Sequence, residues 1–272
     1  MACTLTLKTA TTIPVEVEGL TPEALRDKSL AEIEHFPIFH GNRQSPLAEL
    51  FTVSGSADDE TLVFAGDMTA VHWIGAKMTS GTIRIEGDAG RHVGSQMRGG
   101  AIHVHGHAGD WVGSEMRGGL IQVRGSAGDM VGAAYRGSVK GMTQGTILIH
   151  GDAGDEIGHT MRRGLIAIGG SAGDFVGFNM LAGTILIGGT PGIRHGAGMR
   201  RGTIGFLGSQ PAALLPSFRR TCRFRPPFLP LLSRQLAAYD FPLPSDALAS
   251  EFELFAGDLV AGGRGEILLR AS

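Results

Sequence analysis

Histidines are the residues of this chain whose type and spacing could hold a metal. His103, His105 and His107 alternate along one short segment, and His92 and His72 precede them. Imidazole nitrogens are common zinc ligands, so an ion held between neighbouring segments is one interpretation. However, no cysteine or acidic residue recurs beside these histidines at metal-ligand spacing, and His103 and His105 fall on the outward side of a strand. We therefore expect surface or interface histidines and no metal.

Aspartates form a second pattern. Asp110, Asp129, Asp155 and Asp174 each follow a glycine at the same place in a repeated phrase. Calcium-binding solenoids also carry rows of aspartates, but they do so in nonapeptide repeats, which this chain lacks. We expect each carboxylate to bond the backbone of its own turn.

Arginines form a third pattern. They follow the methionine that opens each phrase, at Arg98, Arg117, Arg136, Arg162 and Arg200. Two like charges about 4.8 Å apart in water repel by only about 0.9 kcal/mol, so a solvated row is tolerable. The plain interpretation is a decorated surface. The sharper one is an anion-docking stripe formed by Arg162, Arg163, Arg200 and Arg201. No catalytic residue is expected in this chain.

A repeated phrase positions all of these residues. From Gly81 to Gly208 the pattern M-x-x-G-x-[IL]-x-[IVF]-x-G-x-x-G-x-x-x-G recurs, with 19 residues between most successive methionines. Apolar and charged residues alternate within it, as in Ile83-Arg84-Ile85, which is typical of a strand with one buried face. A helix would not tolerate so much glycine. Units this small bury their apolar faces only by stacking on one another.

The pattern predicts an all-β fold, namely a single-stranded, right-handed parallel β-helix of 19-residue coils. Five inward columns should fill its interior and leave no channel. The glycines should stand at turns that need a positive φ or a close backbone approach. The columns are Ile83, Ile102, Ile121, Ile147, Ile166, Ile185 and Ile204; Ile85, Val104, Val123, Ile149, Ile168, Ile187 and Phe206; Ala89, Ala108, Ala127, Ala153, Ala172 and Pro191; Val93, Val112, Val131, Ile157 and Val176; and the methionines.

Composition sets outer limits on function. The chain has 272 residues, 43 glycines and 18% charged residues, which fits a β-solenoid with capping segments. A net charge of −2 predicts no nucleic-acid partner. Cys3 and Cys222 cannot by themselves form a disulfide framework or a metal cluster. With no signal peptide and no apolar run of the ~20 residues a membrane span needs, we expect a cytoplasmic protein without a membrane partner.

Three regions are expected: an α+β N-terminal cap over 1–57, the β-helix over 58–208, and an irregular C-terminal capping or interaction segment over 209–272. In the cap, the pattern predicts a strand or hairpin over 4–17 and a helix that begins at Thr21-Pro22 and ends by Ser29 or Glu34. Gly41-Asn42 is expected to be a turn. Such a cap would blunt the open edge of the stack.

Two later stretches depart from the repeat. Between Met116 and Met142 the spacing grows to 26 residues, and the surplus over 135–141 predicts a loop on an interacting face. After Gly208, prolines indicate an irregular segment that carries Arg219, Arg220, Arg223 and Arg225. A helix over about 231–239 and a closing hairpin around Gly262-Gly263 should follow.

The outward residues also change along the stack. They begin polar at Arg84 and His103 and become apolar at Leu148, Ala167 and Leu186. An apolar outer face must be covered, either by the C-terminal segment or by another protein of an assembly. The sequence leaves this choice open.

The coils resemble the glycine-rich β-helix shared by the C-terminal domain of the glutamate synthase large subunit and by the C subunit of formylmethanofuran dehydrogenases. Three flanking stretches are similar to the C subunit and not to glutamate synthase: Leu30-Ala31-Glu32-Ile33; Gly41-Asn42 with Leu50-Phe51-Thr52-Val53; and Gly257-Asp258 with Gly263-Arg264-Gly265-Glu266-Ile267-Leu268. The resemblance covers nearly the whole chain. The arginine excess and the lack of a cluster-binding motif favour the bacterial relative, the C subunit of the formyltransferase/hydrolase complex of methylotrophs.

This resemblance implies a scaffold subunit without catalytic residues in a one-carbon enzyme complex. Such a complex transfers formyl from formyl-tetrahydromethanopterin to a methanofuran-type cofactor and hydrolyses it to formate. The implied partners are formyltransferase, amidohydrolase-like hydrolase and dehydrogenase-B-like subunits. No cofactor is expected to bind this chain directly, although the polyglutamyl tail of a methanofuran-type cofactor would suit the arginine stripe.

Other interpretations stay open. One is the C subunit of a molybdenum or tungsten formylmethanofuran dehydrogenase. Another is a structural β-helix domain of the glutamate synthase type. A third is a β-helix enzyme of the acyltransferase or carbonic anhydrase kind, but those left-handed helices repeat in hexapeptides, which the 19-residue spacing does not fit.

Overall fold

A computed structural model describes residues 2–210 and 212–271 of the chain. Over these residues the protein is predominantly β, with a 13-stranded mixed sheet and a second sheet of four strands. The N-terminal elements are β1 (Cys3–Leu7), β2 (Val15–Glu16), α1 (Pro22–Leu25), α2 (Leu30–Glu34), β3 (Pro37–His40), β4 (Arg43–Pro46), α3 (Leu47–Leu50) and β5 (Phe51–Ser54).

The middle of the chain contributes one strand per repeat to the large sheet. These strands are β6 (Thr61–Ala65), β8 (Thr82–Ile85), β9 (Ala101–Val104), β10 (Arg117–Val123), β11 (Gln144–Ile149), β12 (Leu165–Ile168), β13 (Thr184–Ile187) and β14 (Gly202–Phe206), while β7 (Val71–His72) joins the small sheet. The C-terminal elements are β15 (Arg219–Phe224), α4 (Phe228–Ala237), α5 (Ser245–Ala249), β16 (Phe252–Gly257), a 3₁₀ turn (Leu259–Ala261) and β17 (Gly265–Arg270).

The repeats pair in parallel and in sequence order. Ile83 pairs with Ile102, and Ile102 pairs with Ile121, so partners are 19 residues apart. The 26-residue repeat keeps the same register, since Ile121 pairs with Ile147. Leu62 pairs with Ile83, so the first repeat is two residues longer than most of the others. A second line of bridges runs through the alanine column from Ala89 to Ala172. Apolar side chains of like kind therefore lie directly above one another.

Most of the predicted interior columns are confirmed. The isoleucine column from Ile83 to Ile204 and the methionine column from Met78 to Met199 are wholly buried. The alanine column ends earlier than predicted, because Pro191 is only half-buried and proline has no N–H to donate to a neighbouring repeat. The valine column continues one position further, where the fully buried residue is His195.

The glycines serve both predicted purposes. Gly177, the third of its triplet, has φ +71, which is the left-handed region, and a Cβ there would lie 2.6 Å from Cδ1 of Ile204. Gly173, the second of its triplet, has no such φ, but its Cβ would lie 2.8 Å from the carbonyl carbon of Gly154. Both contacts are too short for any side chain, so each position requires glycine for its own reason.

The N-terminal region differs from the prediction in two places. Of the two predicted alternatives, a strand or a hairpin, the strand is confirmed as β1 and the hairpin is wrong, because β1 pairs with β5 and β6 whereas β2 joins the small sheet. Two short helices, α1 and α2, stand in place of the one predicted helix. Ser29 begins α2 with a capping box, in which Glu32 accepts from the Ser29 N–H at 2.8 Å. The turn at Gly41, with φ +62, is confirmed between β3 and β4.

The C-terminal segment is not irregular, contrary to the prediction. β17 extends the stack by pairing in parallel with β14, and β16 and β15 follow as antiparallel strands. The predicted closing hairpin is therefore confirmed as β16–β17. The prolines suggested a loop, but Pro227 directly precedes α4 and Pro230 lies in its first turn, where no backbone N–H bond is lost.

The same segment covers the apolar outer face of the stack. Leu148, Ala167 and Leu186 are buried in one cluster with Leu229 and Leu236 of α4. The chain itself thus provides the cover that the sequence left undecided. None of the helices over residues 2–210 and 212–271 has the length and apolarity needed to cross a bilayer.

Candidate docking surface

The arginine stripe lies on the outside of the repeat stack. Arg162 and Arg200 belong to a column in which arginine occupies four of six successive positions: Arg98, Arg117, Thr143, Arg162, Leu181 and Arg200. The backbone N–H of Arg162 donates to the Met142 carbonyl at 2.8 Å, and that of Arg200 to the Met180 carbonyl at 2.8 Å. The methionine before each arginine is buried while the arginine is exposed, so the stack fixes the base of every side chain.

Arg136 does not belong to this column, contrary to the prediction. It lies in the surplus of the 26-residue repeat, and the column position of that repeat is Thr143, whose N–H donates to the Met116 carbonyl at 2.8 Å. The prediction placed Arg136 one repeat after Met116. The surplus residues of that repeat lie before Met142, so Thr143 takes the column position instead.

The four candidate residues form two pairs two repeats apart. Arg162 and Arg163 are consecutive and exposed, and so are Arg200 and Arg201. Two repeats correspond to about 10 Å, at which two charges in water repel by about 0.4 kcal/mol. Within the described part of the chain, none of the four forms an ion pair with Asp or Glu. Their charges are therefore available to an external anion.

A groove of about 1100 Å³ lies beside Arg200. Its lining includes Val139 and Lys140 from the loop of the long repeat and Val260 from the 3₁₀ turn. Val139 is 75% exposed and Val260 is 89% exposed. The lining also includes His159, whose Nδ1 lies 3.0 Å from a Glu156 carboxylate oxygen. Of the four candidate arginines only Arg200 lines this groove, which combines cationic and apolar groups.

The aspartates act between repeats rather than within their own turns, so that prediction was wrong. The Asp129 N–H donates to Oδ1 of Asp110 at 3.0 Å, and the Asp155 N–H to Oδ1 of Asp129 at 2.8 Å. The ladder continues through Asp174, whose Oδ1 accepts from the Ile193 N–H at 3.0 Å. Each carboxylate thereby satisfies a backbone donor of the following repeat. The donor is 19 or 26 residues away, at the counterpart position of the next repeat, so an interpretation of each turn by itself misses this bond.

The histidines are dispersed rather than clustered. His72 and His107 each accept a backbone N–H of the next repeat at Nδ1, at 2.9 and 3.0 Å. His103 Nδ1 lies 3.3 Å from Oε1 of Gln122, and burial is the main cause that lowers the pKa of His103. His105 is exposed. Over residues 2–210 and 212–271, no three His, Cys, Asp or Glu side chains come together as a metal site would require.

His92 belongs to an aromatic ladder that the sequence analysis missed. Its ring stacks on Trp73 with centroids 4.1 Å apart and planes 8° from parallel, and Trp111 lies 6.0 Å on the other side. Tyr135, from the surplus loop, packs on Trp111 at 5.2 Å and its hydroxyl donates to Ser95 Oγ at 2.7 Å. The 19-residue spacing of Trp73, His92 and Trp111 was a signal that could have found this ladder.

Burial sets the protonation of the ladder. It lowers the pKa of His92 to about 4, with Arg91 and His72 acting in the same direction. It also raises the pKa of Tyr135 to about 12. At neutral pH His92 is therefore uncharged. Because the Tyr135 hydroxyl proton goes to Ser95, Nδ1–H of His92 must be the donor across the 3.2 Å contact to the Tyr135 oxygen.

Comparisons with known proteins agree with this architecture. The family model described as GXGXG motif matches residues 64–214. The chain is 40% identical over 90 residues to the C subunit of molybdenum-containing formylmethanofuran dehydrogenase 1 from Methanosarcina barkeri, covering 32% of this chain and 30% of that protein. It is 40% identical over 93 residues to the C subunit of tungsten-containing formylmethanofuran dehydrogenase 2 from Methanothermobacter thermautotrophicus, covering 33% and 34%. The chain thus spans about a third of the length of these curated relatives.

A solved structure is similar over the whole chain. It is the crystal structure of the formyltransferase/hydrolase complex from Methylorubrum extorquens with methylofuran, and the similarity covers 99% of this chain and 100% of that one at 34% identity, with a TM-score of 0.90. Its glycine-repeat fold and these relatives define the class of the chain. The protein belongs to the family of C subunits found in formyltransferase/hydrolase complexes and formylmethanofuran dehydrogenases.

Proposed function

We propose that this chain is a structural subunit of a bacterial-type formyltransferase/hydrolase complex. In that complex a formyl group passes from formyl-tetrahydromethanopterin to a methanofuran-type cofactor and is then hydrolysed to formate. Formyltransferase, amidohydrolase-like and dehydrogenase-B-like subunits carry the reaction, and this chain holds them together without catalytic residues of its own. The proposal includes a cytoplasmic location.

The observation that carries this proposal is the full-length similarity to a chain of such a complex at a TM-score of 0.90. The packing of the stack supports it. The methionine, isoleucine and valine columns fill the interior from Met78 to Met199, so the residues that meet other molecules are on the outside.

The proposal extends to the winding of the chain. The parallel pairing at 19-residue intervals supports a single-stranded, right-handed parallel β-helix, since parallel crossovers are almost always right-handed. The proposed regions are a cap over 1–57, the β-helix over 58–208, and the C-terminal segment over 209–272.

The test of the function is reconstitution. The chain is co-expressed with the three other subunits, and the purified assembly is analysed by mass. We expect a four-subunit complex that transfers and hydrolyses formyl, and no turnover from the isolated chain. An active three-subunit assembly of unchanged stability that lacks this chain would overturn the scaffold role.

Arg162, Arg163, Arg200 and Arg201 are proposed as an anion-docking site within that scaffold. Their exposure and lack of acidic partners in the described residues support it, as does the neighbouring Lys140. The anion would be an acidic patch of a partner subunit or the anionic tail of the methanofuran-type cofactor. Because bidentate guanidinium–carboxylate pairs are directional, lysine at these positions should preserve only part of the anion binding that arginine provides.

The corresponding experiment reverses all four arginines to glutamate. Assembly or cofactor retention should fall at least tenfold. The control reverses Arg98 and Arg117, which lie in the same column but in earlier repeats, and should leave both properties unchanged. Equal behaviour of the two variants would remove the docking site from the proposal.

A second candidate is the C subunit of a molybdenum or tungsten formylmethanofuran dehydrogenase. The 40% identity over 90 residues to the Methanosarcina barkeri protein favours it. The two candidates differ in their assemblies, since a dehydrogenase complex would contain molybdenum or tungsten. Metal analysis of the complex purified from its source distinguishes them.

A further inference from the structure

The two outermost strands of the 13-stranded sheet are finished differently. At one edge, β5 alternates buried and exposed residues, and α2 and α3 pack against it. At the other edge lies β15, in which Arg219, Arg220, Thr221, Cys222 and Arg223 are all exposed. Its last residue, Phe224, packs against the cluster of Leu229 and Leu236. The outer edge of β15 is open, and an open edge presents unpaired N–H and C=O groups to whatever can pair with them.

The charge of β15 restricts what can pair with it. Arg220 forms an ion pair with Glu253 at 2.6 Å, and Arg223 with Glu251 at 2.7 Å. Arg219 at the start of the strand and Arg225 just after its end form no ion pair within residues 2–210 and 212–271. Two uncompensated guanidinium groups therefore bracket the open edge.

Exposed apolar residues lie near Arg219, at the start of β15. The Leu259 N–H donates to the Ser217 carbonyl at 3.1 Å, which holds the 3₁₀ turn beside the residue pair preceding Arg219. Leu259 is 47% exposed and Val260 is 89% exposed. An apolar patch next to a charged edge is the usual composition of a protein interface, with an apolar centre and a polar rim.

We propose that β15 is a docking strand on which an extended acidic segment of a different polypeptide adds to the large sheet. This inference rests on the proposed function, in which the chain is one member of a hetero-oligomer. Main-chain hydrogen bonds supply the pairing, and Asp or Glu side chains of the added strand compensate Arg219 and Arg225. A second copy of this chain is disfavoured, because antiparallel pairing of β15 with itself sets arginines opposite arginines.

Cys222 provides a native probe of this edge. It is exposed in β15, whereas Cys3 is fully buried, and burial together with Asp59 raises the pKa of the Cys3 thiol. Only the thiolate reacts readily with alkylating reagents, so Cys3 serves as the internal control in the same chain.

The experiment alkylates the full chain and its assembled complex with N-ethylmaleimide and follows each cysteine by peptide mass. We expect Cys222 to react at least tenfold more slowly in the complex than in the free chain, with Cys3 unreactive in both. An assembled complex in which Cys222 reacts as fast as in the free chain overturns the docking strand and leaves the proposed function intact. Failure of the subunits to assemble overturns both.

Charge reversal tests the chemistry of the occupant. The variant Arg219→Glu with Arg225→Glu should keep the melting temperature of the chain and lower its affinity for the other subunits at least tenfold. Arg43→Glu is the matched control, because Arg43 is an exposed arginine on the edge strand β4 at the opposite end, and it should bind normally. Unchanged affinity of the double variant, or concentration-dependent protection of Cys222 in the isolated chain through a dimer, overturns the proposal.

Discussion

The two ends of the repeat stack differ in how completely the chain finishes them. At the N-terminal end, Phe51 of β5 is 1% exposed and packs edge-on against Phe64 of the first repeat, with ring centroids 6.4 Å apart. At the C-terminal end, five residues of β15 are exposed. Stacked repeats need a cap at each end to stay soluble and unaggregated. The first end is therefore closed by this chain itself, whereas the second keeps an exposed edge strand, on which we propose that another polypeptide docks.

The largest effect should come from breaking the closed end. Phe51→Ala removes a fully buried ring, which costs about 3–5 kcal/mol of the free energy of unfolding. Urea denaturation monitored by circular dichroism measures it. The control is Phe39→Ala on β3, where the ring is 45% exposed and the cost should stay below about 1 kcal/mol. Similar losses in the two variants would show that the N-terminal end does not rely on the contact between Phe51 and Phe64.

A stabilising change should be available near the open end. His195 is fully buried in the valine column, and neither ring nitrogen makes a hydrogen bond of normal geometry, although the Gly192 backbone is close enough to favour the protonated ring slightly. His195→Ile restores the residue type of that column at similar volume. Removing an unsatisfied buried polar group should add about 1–3 kcal/mol to the free energy of unfolding.

The same urea titration measures this gain. His105→Ile, at an exposed position, should change the free energy of unfolding by less than about 0.5 kcal/mol. A loss of stability in His195→Ile would mean that the imidazole holds a partner that the valine column does not provide.

Acid should weaken the protein before its carboxylates titrate. Burial lowers the folded-state pKa of His195 below 6.5, and it lowers that of His92 to about 4. As pH falls below 6.5 the unfolded chain therefore binds more protons than the folded chain, and the free energy of unfolding decreases. Urea midpoints between pH 7.5 and 5 should fall. The slope should be shallower in His195→Ile and in His92→Phe, and an identical slope in all three proteins would contradict the assignment.

The smallest loss of stability should come from removing one hydrogen bond between successive repeats near the C-terminal end of the stack. Asp174→Ala removes the acceptor of the Ile193 N–H and should cost about 0.5–1.5 kcal/mol. Asp174→Asn keeps an amide oxygen at the same place and should cost less. Hydrogen exchange of the Ile193 amide, measured in both variants, reports the bond directly. Faster exchange in Asp174→Asn than in Asp174→Ala would exclude the ladder as its protector.

The stack was predictable because each repeat follows the same local rule. Alternation in Ile83-Arg84-Ile85 and the methionine spacing were enough to assign the buried columns, since the partner of each residue is its own counterpart one repeat away. Prediction of the aspartate ladder through Asp129 required applying the same rule to the turns, because each carboxylate bonds its counterpart position in the next repeat.

The strands at the two ends of the stack were predicted poorly, because their partners are not counterparts from a neighbouring repeat. β1 pairs with β5, and β15 pairs with β16, so each strand finds a partner of unrelated sequence. In β15 only Phe224 is partly buried by this chain, so the strand carries too little of an apolar–polar pattern to be predicted. The docking residues Arg162, Arg163, Arg200 and Arg201 remain a prediction, since their role depends on a molecule outside the chain.

The positions of the terminal strands have a mechanical consequence. β1 and β17 are nine strand spacings apart in one sheet, or about 43 Å. Tension between the two termini therefore pulls along the direction of the hydrogen bonds, and it loads the interfaces between repeats in series rather than together. An optical trap should record the repeats that α4 does not cover giving way in successive steps, each releasing roughly one 19-residue repeat. The repeats of Leu148, Ala167 and Leu186, which α4 joins, should give way together.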